Sequence, residues 1–277
     1  MKALLKLNLR KTVRGKKFYV CLIAAAAILF LAVYVTYQTF DMAKVAAVGS
    51  ALLNPPDEDV SPSQLLETFD SSRPTAFSSL PSALSNADLV LLAGIFAALF
   101  VCEDFEQKTI RTIYGRGYSR RSCYFSSLIN VCAASSAMYL ASLLLSFIYS
   151  AIFFGVGKAD AGIIPLLLVQ YAAFIALVVL YSSIAFIFRR NGVSIAFAVL
   201  LSPVVTLLLS FMEYRFDLKR NALTKFWIGS ALDKVSPSLF LTKVPDSDVL
   251  LTTLAISVTY IAVFTVVGML VNDKKDV

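Results

Sequence analysis

The chain has 277 residues, of which 58% are hydrophobic and 16% charged, with a formal net charge of +7. Soluble domains carry about 45 to 50% apolar and about 25% charged residues, so a membrane protein is expected instead. No histidine occurs, which removes Ser/His triads, zinc-protease helices and imidazole proton relays, since each needs a group titrating near neutrality or a neutral nitrogen ligand.

The N-terminus is basic through Lys2, Lys6, Arg10, Lys11, Arg14, Lys16 and Lys17, with Leu4, Leu5, Leu7 and Leu9 between them. Residues 1–17 are therefore expected to form an amphipathic helix in the headgroup layer, where basic side chains meet anionic lipid. The apolar run that follows, 18–37, exceeds the roughly 7 to 15 residues of a signal-peptide core, and no small-residue cleavage site follows directly. It is expected to be a retained span.

The loop from Gln38 to Asp88 is rich in Ser, Pro and Asp, includes Pro55-Pro56, and is acidic through Asp41, Asp57, Glu58, Asp59, Glu67, Asp70 and Asp88. An extended or partly ordered segment over 38–83 is predicted. The next run, Leu89 to Cys102, would be only about 21 Å long as a helix. It must borrow residues from 84 onward or continue past Cys102, and the span is taken as 84–102.

Four further runs follow at 126–154, 163–188, 193–212 and 249–271, each near or above the roughly 20 residues that cross a bilayer. Their polar content is Asn130, Gln170 and many Ser and Thr, with no charge beyond the ends. In lipid such residues serve helix packing, and small ones such as Ala133, Ala134, Ser135 and Ser136 let helices approach closely. Pro203 is expected to kink the fifth span, whereas Pro165 near the start of the fourth is tolerated. The outer loop 213–248 has Leu223, Phe226, Trp227, Ile228, Leu232 and Val235 near helical spacing before Pro237. One or two short interfacial helices are predicted there, with Trp227 and Tyr214 as headgroup anchors.

The expected fold is an all-α integral membrane protein of six spans forming a single domain over 1–277. Sixteen of the 25 Lys and Arg residues fall on the side of the N-terminus, and the positive-inside rule then places both termini in the cytoplasm. The cysteines, Cys21, Cys102, Cys123 and Cys132, all lie in or beside apolar runs and form no CxxC pair, so neither a structural disulfide nor a metal site is implied.

The stretch EDFEQKTIRTIYGRGYSRRSCYF, 103–125, concentrates three carboxylates and five basic residues between two apolar runs. Holding those five at mid-bilayer would cost on the order of 15 kcal/mol, at roughly 2.5 to 3.5 each, so the stretch must lie outside the membrane. Read as a helix, Glu106 to Tyr114 gathers Ile110, Ile113 and Tyr114 on one face and Lys108, Arg111 and Thr112 around the other. Gly115 and Gly117 then break it, and Ser119 is a suitable N-cap for the helix entering the third span. Such an element can rest on lipid or fill a groove on a soluble partner.

Asp104-Phe105, Thr109-Ile110-Arg111, Gly117-Tyr118-Ser119-Arg120 and Tyr124 resemble the cytoplasmic segment after the second span of ABC-2 type permeases, closest to the bacitracin and lantibiotic group. The opening MKALLKLNLRKTVRGKKFYVCLI is similar to the basic start and first span of that group. Two positions depart from its pattern: Lys108 stands where Gly is preferred, and Ser127 where Lys is. The resemblance implies the permease subunit of an ABC exporter in the bacterial plasma membrane, paired with a second permease subunit as homodimer or heterodimer. It implies a cytoplasmic coupling helix through which a separate ATPase docks, with Phe105, Thr109, Ile110, Arg111, Ile113, Tyr118 and Arg120 in contact, and a smaller contact at Arg189, Arg190 and Asn191.

ATP and magnesium would then bind the partner, since this chain has no cofactor motif of its own: Gly155-Val-Gly-Lys158 lacks the earlier glycine and the following hydroxyl of a phosphate loop. An amphipathic or hydrophobic cargo, such as an antimicrobial or secreted peptide, is the expected substrate. Neither catalysis by this chain nor nucleic-acid binding is expected. A non-transporting sensor or scaffold that binds a cytoplasmic regulator is the alternative, and co-purification of a soluble ATPase separates the two.

Overall fold

The structure is a computed structural model that describes residues 2–53, 74–86, 88–158, 162–216, 222–236 and 245–274. The Pro55-Pro56 stretch, the acidic residues Asp57, Glu58, Asp59, Glu67 and Asp70, and Pro237 and Lys275 lie outside the described residues. Every regular element among the described residues is helical. In chain order these are α1 (Lys2–Arg14), α2 (Lys16–Leu53), α3 (Ala76–Ser79), a 3-10 turn (Leu80–Ser82), α4 (Ala83–Asn86), α5 (Leu89–Glu106), α6 (Thr109–Gly115), α7 (Arg120–Phe154), α8 (Ile163–Phe188), α9 (Asn191–Arg215), a second 3-10 turn (Thr224–Phe226), α10 (Ile228–Val235) and α11 (Ser247–Lys274).

By length and apolar composition α2, α7, α8, α9 and α11 are five candidate membrane spans, and a sixth forms if 76–85 and α5, bent by 43°, count as one. The bend falls at Asp88, which adopts a left-handed φ of 44° before α5. Several helices outrun the spans read from the sequence: α9 and α11 by two or three residues at each end, α7 by six at its start, and α2 and α5 at their far ends. Helix α2 runs on to Leu53, because 38–53 holds no proline and a single glycine, while its four alanines, Met42 and two leucines favour helix. Helix α5 continues four residues past Cys102, so its charged last turn projects beyond the apolar run.

Helix α8 is the centre of the bundle: 61% of its most apolar 18-residue stretch is buried, against 6% for α9. It packs against α11, α5, α10, α7 and α9, as expected of a helix that is apolar all round. Lipid solvates leucine as well as a protein core does, so lateral packing must rest on close van der Waals fit and hydrogen bonds. The polar side chains do sit at such contacts. Ser183 Oγ donates to Phe264 O of α11 at 2.8 Å and lies 3.3 Å from Tyr124 Oη of α7. Fully buried Gln170 donates from Nε2 to Pro81 O, Val235 O and Ser236 Oγ, tying α8 to the 80–82 turn and to the end of α10.

Helix α1 docks on α7 by its polar stripe. Asn8 Nδ2 donates to Ser126 Oγ at 3.0 Å and Asn130 Nδ2 donates to Thr12 Oγ1, while Leu5, Leu9 and Val13 face outward. Ser127, the second departure from the permease pattern, is buried beside Asn8, where a lysine would have no room to stay solvated. At the far end Trp227 is 7% exposed, edge-on to Tyr260, so it is a packing residue and not the expected headgroup anchor. The extended backbone at Trp227 turns the indole inward over Gly229. Tyr214, 85% exposed, stands clear. Glu213, buried at the end of α9, accepts from the backbone N–H groups of Leu223 and Thr224 at 2.7 Å and so anchors the 224–226 turn.

Candidate docking site at the basic end

The N-terminal helix, the end of α5, all of α6, the start of α7, the α8–α9 turn and the end of α11 meet at one end of the bundle, held by the charges of 103–125. The carboxylates work inward. Lys11 Nζ lies 3.1 Å from Glu103 Oε2 and 2.7 Å from Asp104 Oδ1, donates to Phe100 O at 3.2 Å, and stands 4.6 Å from the centre of the Phe100 ring. Lys17 Nζ adds a third ion pair, 3.2 Å from Glu103 Oε1. A lone exposed pair contributes about 0 to 1 kcal/mol, but here one partly buried ammonium serves two carboxylates, a carbonyl and a ring, and that fixes where α1 sits.

Glu106 caps α9: it accepts from Asn191 N at 2.9 Å and also from Asn191 Nδ2. An acidic side chain at a helix N-terminus meets both the free N–H groups and the positive end of the helix dipole. On the other side Arg120 Nη1 donates to Asp273 O at 2.9 Å, Arg121 Nε pairs with Asp273 Oδ2 at 2.7 Å, and Asn272 Nδ2 donates to Arg120 O at 3.2 Å. The start of α7 is thereby tied to the end of α11. Ser119 caps α7, accepting from Ser122 N at 3.2 Å.

Between these ties lies α6. Its preceding residue, Lys108, has φ +56°, the left-handed region that costs an L-residue roughly 1–2 kcal/mol and glycine little. That explains why a glycine would suit the position better. Lys108→Gly is expected to raise stability by about 1 kcal/mol, read as a higher melting temperature of the purified protein in detergent; an unchanged or lower value would show that no strain is held there.

The sequence-predicted contact residues divide by exposure. Thr109, Arg111 and Arg190 are exposed; Phe105, Ile113, Tyr118, Arg120 and Arg189 are half-buried; Ile110 is 5% exposed and turned into the chain. Phe105 meets Phe186 edge-on at 6.0 Å, and the Arg189 guanidinium lies 4.8 Å over the Phe105 ring, which joins α5 to the α8–α9 turn. Tyr114 is packed beneath α6, where burial pushes its phenol above the ordinary value. The outer surface of α6 is thus Thr109, Arg111, Thr112 and Gly115, continued by Arg116. Arg111 and Arg116 have no side-chain hydrogen bond or ion pair among the described residues.

Sequence reasoning missed Lys11, Lys17, Glu103, Glu106, Asn272 and Asp273 as members of this site. Charge alone marks these residues as polar but does not pair them, because the partners lie far apart in the chain. Among the described residues no group of three or more His, Cys, Asp or Glu is placed to hold a metal ion, and all four cysteines are free.

Comparison with curated proteins and with solved structures gave no match. The family model described as ABC-2 family transporter protein matches residues 2–277. With multiple long apolar helices in a chain matched over nearly its whole length, the protein belongs to the ABC-2 transporter family and is a membrane permease component of an ABC transporter.

Proposed function

We propose that this chain is the permease subunit of an ATP-driven exporter in the bacterial plasma membrane, with both termini in the cytoplasm and α6 as its coupling helix. A separate ATPase subunit, which binds ATP and magnesium, docks on the outer face of α6 through Thr109, Arg111 and Arg116, with Ile113 and Tyr118 at the rim and Arg190 as a second contact. Ile110, Phe105, Arg120 and Arg189 seat α6 on the bundle. A second permease subunit, identical or not, completes the assembly. The cargo is amphipathic or hydrophobic, of the antimicrobial or secreted peptide kind, and the uncharged interior of the spans supports that choice.

The observation that carries the reading is the knot around α6. Glu103 and Asp104 hold α1, Glu106 holds α9, and Arg120 and Arg121 hold α11. A push on α6 is therefore delivered to several helices at once and not to one loop. ATPase closure of this sort is the conformational step that such a platform can pass on. Co-reconstitution in liposomes with the ATPase subunit should give a stable complex whose ATP hydrolysis exceeds that of the ATPase alone. Neither complex nor stimulation would overturn the reading.

A further inference from the structure

At the end of the bundle opposite α6, a cavity of about 380 Å³ opens between α4, α5, α8, α9 and α10. Its lining includes the exposed Asp88 and Asp233, the buried Ser236 and Tyr181, and the apolar Leu91 and Val199. Tyr181 lies against Gly94, six residues into α5 from Asp88, so the cavity runs about 9 Å along α5 from Asp88. Val199 is 41% exposed, which leaves the α9 wall open toward the surrounding lipid.

Of the polar groups of this cavity Ser236 is engaged by Gln170, whereas the two carboxylates are not engaged among the described residues. Asp88 precedes α5 but its side chain does not cap that helix. Among the described residues neither Asp88 nor Asp233 forms an ion pair and no basic residue lines the cavity. Asp233 is exposed at its surface, and partial desolvation of its carboxyl pushes it above the usual range. Pro203 has no N–H to offer the Val199 carbonyl four residues earlier, so the helix leaves an acceptor on the same wall. Tyr181, 3% exposed, finds no hydrogen-bond partner for its hydroxyl among the described residues. The buried Trp227 indole N–H, also unpartnered, crowds the side of Gly229 that faces Ser202.

We propose that this cavity binds the cationic head of an amphiphile, a primary ammonium or guanidinium seated between Asp88 and Asp233, with its apolar tail along Leu91 and Val199. The two carboxylates are acceptors, which a head with several N–H donors and a positive charge satisfies and an anionic or neutral head does not. This names the substrate class of the export reading and rests on it for its consequence, while the binding itself needs no ATPase.

Trp227 is the sole tryptophan of the chain, so its fluorescence reports on the cavity wall. Dodecylammonium, titrated into the purified full chain in a neutral detergent, should change Trp227 emission saturably, whereas dodecanol and dodecyl sulfate should not. The double variant Asp88→Asn/Asp233→Asn should bind dodecylammonium about tenfold or more weakly, and Tyr181→Phe, which keeps the ring on Gly94, a few-fold more weakly. An acylated lysine amide and a lysophosphatidylethanolamine, as competitors, distinguish a peptide source from a lipid one, and displacement by either supports the proposal. Equal response to the three head groups, unaltered binding by both variants, or displacement by neither competitor would overturn it. Failure here leaves ATPase docking standing, and failure of ATPase docking leaves the binding curve standing.

Discussion

Arg111→Glu combined with Arg116→Glu is expected to abolish co-purification of the ATPase subunit while leaving the amount and melting temperature of the membrane protein unchanged. Both guanidinium groups are exposed and make no ion pair among the described residues, and surface changes away from packed contacts usually stay within about 0.5 kcal/mol. At an interface the same change acts differently. It reverses the local charge, and like charges brought together across a contact cost several kcal/mol, which corresponds to at least about a hundredfold loss of affinity. Ile110→Ala serves as the contrast. That residue is 5% exposed, so truncation empties a packed site at a cost of about 2–5 kcal/mol, and any loss of ATPase binding should come with a lower melting temperature. Undiminished co-purification by the charge-reversed double variant would remove α6 from the docking role.

How much of this was legible in the sequence differs by element. The apolar runs from 126 onward are visible because a span needs length and the absence of charge, and both are properties of a string of residues. Which span is central was not visible: the run of α8 is no more apolar than that of α2, yet only α8 is largely buried. Helix α6 shows the limit of periodicity. The pattern groups Ile110, Ile113 and Tyr114 on one face, but it does not state whether that face meets lipid, a partner or the chain itself. Here Ile110 meets the chain, and the exposed side is the basic one.

Helix α1 only partly follows the rule learned from soluble proteins: Leu4 is buried, but polar residues share its inner face. Its leucines at 5 and 9 face outward while Asn8 and Thr12 make the contact with α7. That outcome follows once lipid is the solvent, because hydrogen bonds then discriminate between neighbours better than apolar area does. Lys108 looked like a lost glycine, and only the backbone angle shows what the glycine would relieve. The ties from Lys11 to Glu103 and from Arg121 to Asp273 span 92 and 152 positions, distances over which charge patterning along the chain carries no pairing information.

Gly268→Leu is expected to cost the most stability of any single change considered, because Gly268 is where α11 comes closest to α7 and α8. A Cβ at that position would fall on Tyr124 Oη and within 2.9 Å of Ser183 Oγ. Both neighbours are engaged: Ser183 Oγ donates to Phe264 O and stands 3.3 Å from Tyr124 Oη, and Tyr124 packs 4.7 Å from the Phe186 ring. Neither can withdraw without giving up a buried contact. Gly268→Ala should therefore cost about 1–3 kcal/mol by overpacking, reduced by up to about 1 kcal/mol because alanine favours helix over glycine. The leucine variant adds atoms with nowhere to go and should push α11 off α8. Asn272 and Asp273 lie on the next turn, so α11 would also lose its grip on Arg120 and Arg121, and ATPase docking should weaken together with thermal stability. A double-mutant cycle isolates the cause. Tyr124→Phe removes the atom struck by the new Cβ, so Gly268→Ala should cost less in that background than in the parent chain by about 0.5 kcal/mol or more. If the alanine costs the same with and without the tyrosine hydroxyl, the close approach at Tyr124 is not what the glycine is there to permit.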